Sequence, residues 1–289
     1  MRRSHHWGRT LAALGHRVRL IPPQYVKPFV KRAKNDRIDA EAISEAAARP
    51  NMRFVPVKSA EAQAEAMALS VRELLVKQRT QLVNALRGHA AEFGIIAAKG
   101  VGNAAGLVEI VRTDPAAPAP AREMCVCLGE QIAHLNAELA KLDRKLAELH
   151  AANPVSQLLA GVPGVGPVSA LSLALTVDAT QFRSGRHFAA WLGLTPKEHS
   201  TGGRQRLGGI SRAGNARLRQ LLVLGATAVI RVAKPGHKHA TPWLTGVLAR
   251  RPHRVAAVAL ANKMARIAWA MMTSGEAHRQ APKQAPAAA

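Results

Sequence analysis

Aromatic residues are scarce in this 289-residue chain, at 3%, while 48% is hydrophobic. A core of that size built with few rings must be aliphatic and alanine-rich, which favours helices. Cysteine is scarcer still. Cys125 and Cys127 are the only two, one residue apart on a predicted helix where their side chains diverge. That excludes a disulfide framework, and with no His/Cys pair nearby it argues for reduced thiols in a cytoplasmic protein. No run looks apolar for the ~18 residues a membrane span requires, and no signal-peptide core stands near the start. Acidic residues are also in deficit, 18 against 41 Lys+Arg, for a net charge of +23 and a pI near 11.5. Such a balance calls for a polyanionic partner, with nucleic acid leading over a membrane surface.

Residues 9–15, "RTLAALG", read as a helix end with Gly15 as its C-terminal stop. "HRVRLIPP" (16–23) reads as a short buried strand halted by two prolines. A helix is predicted over 35–48, capped by Asn35 or Asp36, with Ala40, Ile43 and Ala47 on one face. An extended segment follows at 52–59, and Ser59 can cap the next helix. That helix runs over 60–93, striped by Met67, Val71, Leu74, Leu82, Leu86 and Phe93. A Gly/Pro/Ala-rich break is expected over 100–120. Beyond it, the leucines and isoleucine from Leu128 to Leu149 repeat at 4-3-4-3 spacing, a seam of about three heptads. The two long helices predict an antiparallel hairpin or a self-association seam. From 153 to about 275 the pattern is helical, with Gly-rich turns at 161–166 and 201–214 and a frayed tail at 276–289.

Four features could carry chemistry. Asp36 and Asp39 stand at i and i+3, so on a helix their Cβ atoms lie about 5–6 Å apart on one face. Two carboxylates so placed can share Mg²⁺ beside a phosphate; acidic residues in a first turn also simply suit the helix dipole. "GVPGVGP" (161–167) between apolar helices has a helix-hairpin-helix pattern, in which Gly164 and Gly166 allow a tight turn and free N–H groups meet a phosphate. An ordinary αα turn is the alternative. Residues 182–232 hold nine Lys/Arg against one acid, Glu198. Arg204, Arg206, Arg212, Arg217 and Arg219 are the candidate phosphate contacts. Ser200 stands between His199 and Thr201-Gly202-Gly203, where a DNA backbone could approach closely. It is equally readable as a turn serine, and Ser211, a possible helix cap, is its local competitor.

The segments "SHHWGRTLAALGHRVRLIPPQYVKPFVKRAKNDRIDAEAI", "GVPGVGPVSA", "FAAWLGLTPKEHSTGGRQRLGGISRAGNARLRQLL" and "VAAVALANKMARIAW" closely resemble the DEDD-type insertion-sequence transposases of the one-ten family, nearly end to end and in order. The resemblance implies a RuvC-like (RNase H-type) N-terminal domain whose four acids hold Mg²⁺, then a coiled coil, then a helical transposase domain with a serine nucleophile. On it, Asp36 and Asp39 fall on the last two acids and Ser200 on the nucleophile, although Thr201 stands before the glycines where the family has glycine directly. It further implies DNA cleavage and rejoining through a phosphoserine link, a homo-oligomer (dimer or tetramer), and guidance by a structured RNA encoded in the element.

The expected fold is thus mainly α, in four parts. These are a RuvC-like remnant at 1–58, coiled-coil helices at 59–152, a helical transposase domain at 153–275 and a tail at 276–289. Only Met1, Arg2 and Arg3 precede Ser4, so the strands that carry the family's first Asp and its Glu are expected to be missing. Glu41 and Glu45 are poor substitutes. Two readings of function follow: a Mg²⁺-assisted serine recombinase with an incomplete site, or a non-catalytic nucleic-acid-binding relative of one.

Overall fold

The computed structural model describes residues 4–31, 35–234, 236–237 and 239–278. Its chain is mostly helical and divides into two compact units, Met1–Glu65 and Ala66–Ala289.

The first unit holds α1 (Ser4–Ala13), α2 (Pro23–Val26), α3 (Asp36–Ala48) and the start of α4 (Ala60–Ala91). Gly15 stops α1 at a φ of 88°, a backbone region that costs L-residues energy. Asn35 caps α3, its Oδ1 accepting from the Ile38 N–H at 2.8 Å. Ser59 caps α4 by accepting from the Ala62 N–H at 3.1 Å. Arg9 on α1 donates to the Lys58 carbonyl and to Gln63 Oε1, both at 2.9 Å, tying the helix to the extended segment.

Two expectations fail here. The buried strand at 16–23 is a single antiparallel bridge, Leu20 to Val55, and its residues are exposed or half-buried. A lone bridge has no sheet to bury it, so β-rich composition did not suffice. The buried face of α3 is Ala42 and Ala46, while Ile43 is exposed, so the small residues face inward and set a close approach.

The second unit continues α4, then adds α5 (Ala104–Thr113), α6 (Ala119–Ala152), α7 (Pro154–Ala160), α8 (Pro167–Thr176) and α9 (Gly185–Trp191). A two-stranded antiparallel hairpin, β1 (Pro196–Glu198) with β2 (Leu207–Ile210), precedes α10 (Ala216–Val232), α11 (Pro242–Arg250) and α12 (His253–Ser274). Helices α4 and α6 run antiparallel. Arg72 pairs with Asp143 at 2.5 Å, Arg79 donates to Asn136 at 2.9 Å, and Val83 shares a buried cluster with Ile132. Of the heptad seam, Ile132, Leu139 and Leu146 are buried, with Cys125 one heptad earlier; the intervening leucines are half-buried. Met67, Val71 and Leu74 remain exposed on α4.

The break at 100–120 contains α5, whose Ala104, Leu107 and Val111 are buried against α4 and α6. Their 3-4 spacing outweighs the surrounding glycines and prolines. The stretch 196–210 is a β-hairpin and not a turn between helices. By length and composition α12 is apolar enough to cross a membrane, contrary to the sequence reading. Ala261, Met264, Ala265, Ala268 and Met271 instead place it in the main core with α7 to α10. Of the two long helices, α6 and α4 from Ala66 onward fall in one unit with the C-terminal helices.

Candidate functional site

The hairpin is built by glycine. Gly202 and Gly203 take φ of 55° and 74°, and Thr201 and Arg204 exchange backbone hydrogen bonds across them at 3.3 and 3.0 Å. Two successive positive φ angles in a two-residue loop match the hairpin turn whose twist suits the flanking strands. The ladder continues with the His199 N–H donating to the Arg206 carbonyl at 2.8 Å. Ser200 is exposed beside this turn. Its hydroxyl donates to Glu198 Oε1 at 3.0 Å and accepts from the Arg206 N–H at 3.2 Å. Glu198 ends β1 and Ser200 lies two residues on, a spacing that puts both side chains on one face of an extended chain.

Glu198 is the residue that sequence reasoning missed. It was visible as the single acid among nine cations, two positions before the serine, but a turn assignment hid the shared face. His199, adjacent in sequence, alternates to the other side; a Cβ on Gly208 would lie 3.6 Å from its Nε2. Ser211 does not cap α10. Asn215 does, its Oδ1 accepting from the Arg217 and Leu218 N–H groups at 3.0 and 3.1 Å, while Ser211 accepts from the Ala213 N–H in the preceding turn.

The candidate arginines divide. Arg204 and Arg206 are exposed on the hairpin, and Arg212 is exposed at a φ of 55°. Arg217 lies 3.6 Å from Glu73 on α4. Arg219 points inward and donates to the Leu192 and Ala213 carbonyls at 2.8 and 2.6 Å. Burial, then the nearby Arg212 charge, pull its pKa below the ordinary value. It holds the loop before α10 in place through one guanidinium nitrogen, Nη1, which makes both bonds.

Gly164 also has a packing role. At a φ of 87° it lies against α10, where an added Cβ would meet the Gly225 carbonyl oxygen at 2.7 Å. The reverse approach is tighter, 1.9 Å from a Cβ on Gly225 to the Gly164 oxygen. Gly166 is exposed at the start of α8, with no side-chain cap on that helix.

Asp36 and Asp39 lie in the first turn of α3, one exposed and one half-buried. Neither carboxylate has an ion-pair partner among the described residues, whereas Glu41 is bound to Lys31 and Glu45 to Arg49, each at 2.6 Å. The donor type suits a hard divalent cation. The donor number does not: no cluster of three or more His, Cys, Asp or Glu is present among the described residues. The aspartates belong to the first unit and Ser200 to the second.

The family described as Transposase IS116/IS110/IS902 matches residues 156–241, which include the hairpin. A DEDD transposase family of the IS110 type matches residues 3–94, which include both aspartates. The transposase for insertion sequence element IS1111A of Coxiella burnetii is 39% identical over 279 residues, covering 96% of this chain and 77% of that protein. The chain belongs to the IS110-type insertion-sequence transposases. A Sinorhizobium fredii protein also named a transposase, y4pF/y4sB, is 52% identical over 98% of this chain and 73% of its own length. For the IS1328 transposase of Yersinia enterocolitica the identity is 37%, over 94% and 81%. An IS110-type transposase acts on DNA, and the DEDD domain type generally uses divalent metal.

Proposed function

We propose that this IS110-type transposase cuts and rejoins DNA through Ser200, with Glu198 accepting the serine proton. The observation that carries the reading is the 3.0 Å hydrogen bond from the exposed Ser200 hydroxyl to the Glu198 carboxylate. A serine hydroxyl is a weak nucleophile until a neighbouring base takes its proton. In the step, the Oγ–H proton passes to Glu198 Oε1 and the Oγ–P bond forms. The P–O bond to the leaving strand breaks, and the leaving oxygen takes a proton from water. Rejoining is the reverse displacement, by a strand hydroxyl on the phosphoserine. The Arg206 N–H, bonded to Ser200 Oγ, holds the hydroxyl in place. Exposed Arg204, Arg206 and Arg212 supply phosphate contacts and offset charge on the transferring phosphoryl group. Gly166 at the start of α8 offers a further phosphate contact, whereas Gly164, Arg217 and Arg219 act chiefly through the fold.

In this reading the chain comprises a RuvC-like part, a long-helix part and a helical transposase part. It works as a homo-oligomer on element ends and target, guided by a structured RNA; support for these finer points is the motif resemblance. Asp36 and Asp39 would contribute two oxygen ligands to a divalent cation, Mg²⁺ in the family's pattern. When bound, such an ion polarises a phosphodiester. Its other ligands would be waters, phosphate oxygens or further carboxylates.

The test is a covalent adduct. Labelled element-end DNA and the element's RNA, incubated with the chain, should give a protein–DNA species that survives denaturing electrophoresis. It should be absent from Ser200→Ala. An undiminished adduct in that variant would remove Ser200 from the chemistry.

A further inference from the structure

Beside the hairpin, a cavity of about 1350 Å³ opens between α9, β2, α11 and α12. Four cations line it: Arg186, Arg254, Lys263 and Arg266. None of the four is in a salt bridge among the described residues, and no acidic side chain lines the cavity. Only one of these positions, Arg186, falls in the basic stretch that the sequence singles out. The floor is apolar and aromatic, with Trp243 39% exposed and Val255, Val258 and Ile267 beside it. Lys263 Nζ sits 4.4 Å from the centroid of the Trp243 ring. The Trp269 indole N–H donates to the Ala179 carbonyl at 3.1 Å, which fixes that ring in the wall. Pro196, Gly208 and Gly209 of the Ser200 hairpin form one side.

We propose that this groove binds an unpaired nucleic-acid strand and leads it along the hairpin. Three observations favour that occupant. The cavity exceeds the roughly 300–1,000 Å³ of small-molecule pockets. Its charge is of one sign, which complements a phosphate backbone and disfavours a mixed-charge protein surface. Its apolar floor has no use in gripping a duplex, whose bases are stacked inside; an unpaired strand exposes base faces that lie on aromatic and aliphatic side chains. A strand released when a duplex opens, or an unpaired part of an RNA, has this chemistry. The proposal rests on the chain acting on DNA, not on Ser200 as nucleophile, and its test involves no chemistry at the serine.

The test is fluorescence anisotropy of the full chain with labelled oligothymidylate, oligouridylate and a duplex of equal length, across a salt series. Arg254→Ala/Lys263→Ala/Arg266→Ala should weaken unpaired-strand binding at least 30-fold and lower its log–log salt slope by about 2, at ~0.7 per single-strand phosphate contact. A charge-matched control, Lys99→Ala/Lys141→Ala/Lys145→Ala, should keep most of the affinity. Trp243→Ala should cost about tenfold on unpaired strands, in the range of base–aromatic stacking, and little on duplex. Arg254→Lys/Lys263→Arg/Arg266→Lys, which keeps the charge and guards against a folding defect, should restore binding. Preferential loss of oligothymidylate or of oligouridylate identifies DNA or RNA as the source and supports the groove in either case. Unpaired-strand binding unchanged in the alanine triple variant, or duplex binding lost equally, overturns the proposal.

Discussion

Two glycine-rich turns in this chain look alike as text and are opposites in space. The turn at 161–166 is pressed against a helix: its Gly164 and the Gly225 of α10 meet backbone to backbone, with Val162 and Val165 buried on either side. The turn at 201–204 is open to solvent. An added Cβ on Gly202 or Gly203 meets no atom within 4 Å, and their neighbours are exposed. In the first, glycine is needed for space. In the second, it is needed only for its φ angle, and the result is a projecting hairpin that displays a hydroxyl and a carboxylate. Glycine richness alone therefore does not point to a ligand; what the backbone leaves exposed does.

The largest break in that comparison should come from Gly225→Ala. Its new methyl would lie 1.9 Å from the Gly164 oxygen, backbone that cannot yield cheaply. A loss of about 3 kcal/mol or more is expected in urea denaturation, as for overpacked cores. Gly202→Ala should cost only about 1–2 kcal/mol, the strain of a left-handed residue in open space, and leave the fold intact. Comparable losses at the two sites would erase the distinction.

Next is the hairpin's chemistry. Glu198→Gln removes the proposed proton acceptor but keeps a hydrogen-bonding oxygen, so stability should change by less than about 0.5 kcal/mol. Labelling of Ser200 by a fluorophosphonate, read by mass mapping, should slow about 10²-fold, the lower end of what general-base help gives. Equal labelling rates in the two proteins would show that Glu198 only braces the turn.

The smallest effects separate the arginines. Arg204→Ala/Arg206→Ala should lower the log–log salt slope of duplex DNA binding by about 2, at ~0.9 per phosphate contact, with the melting temperature unchanged. Arg219→Ala should do the reverse. It strips the part-buried Leu192 carbonyl and the exposed Ala213 carbonyl of their donor, costing about 1 kcal/mol in stability with little change in slope.

What the sequence made legible follows the same division. Helices α3 and α4 were readable because Asn35 and Ser59 are capping residues used as caps. The α4–α6 hairpin was one of the two arrangements the 4-3-4-3 spacing left open, and Ile132, Leu139 and Leu146 of that seam are buried. The family was readable from motif order. The β-hairpin was not: its two strands have three and four residues, nearly all exposed, so no alternation of apolar and polar marks them. Only Thr-Gly-Gly-Arg hinted at it. Helix α5 was hidden by flanking glycines and prolines. The groove was hidden because Arg254, Lys263 and Arg266 are spread along an alanine-rich helix, where each reads as one surface cation. Asp36 and Asp39 were legible as a pair on one helical face, but sequence spacing cannot supply the third and fourth ligands that a metal centre requires.

The central claim is that the exposed hairpin serine makes the covalent bond to DNA. The adduct formed with element ends and the element's RNA should therefore be digested with protease and nuclease and its peptide mapped by mass spectrometry. The account predicts a nucleotide-phosphate mass on the peptide containing Ser200, at Ser200 itself, and none on Ser211. A modification mapped to Ser211, or to any residue outside the 196–210 hairpin, would contradict it.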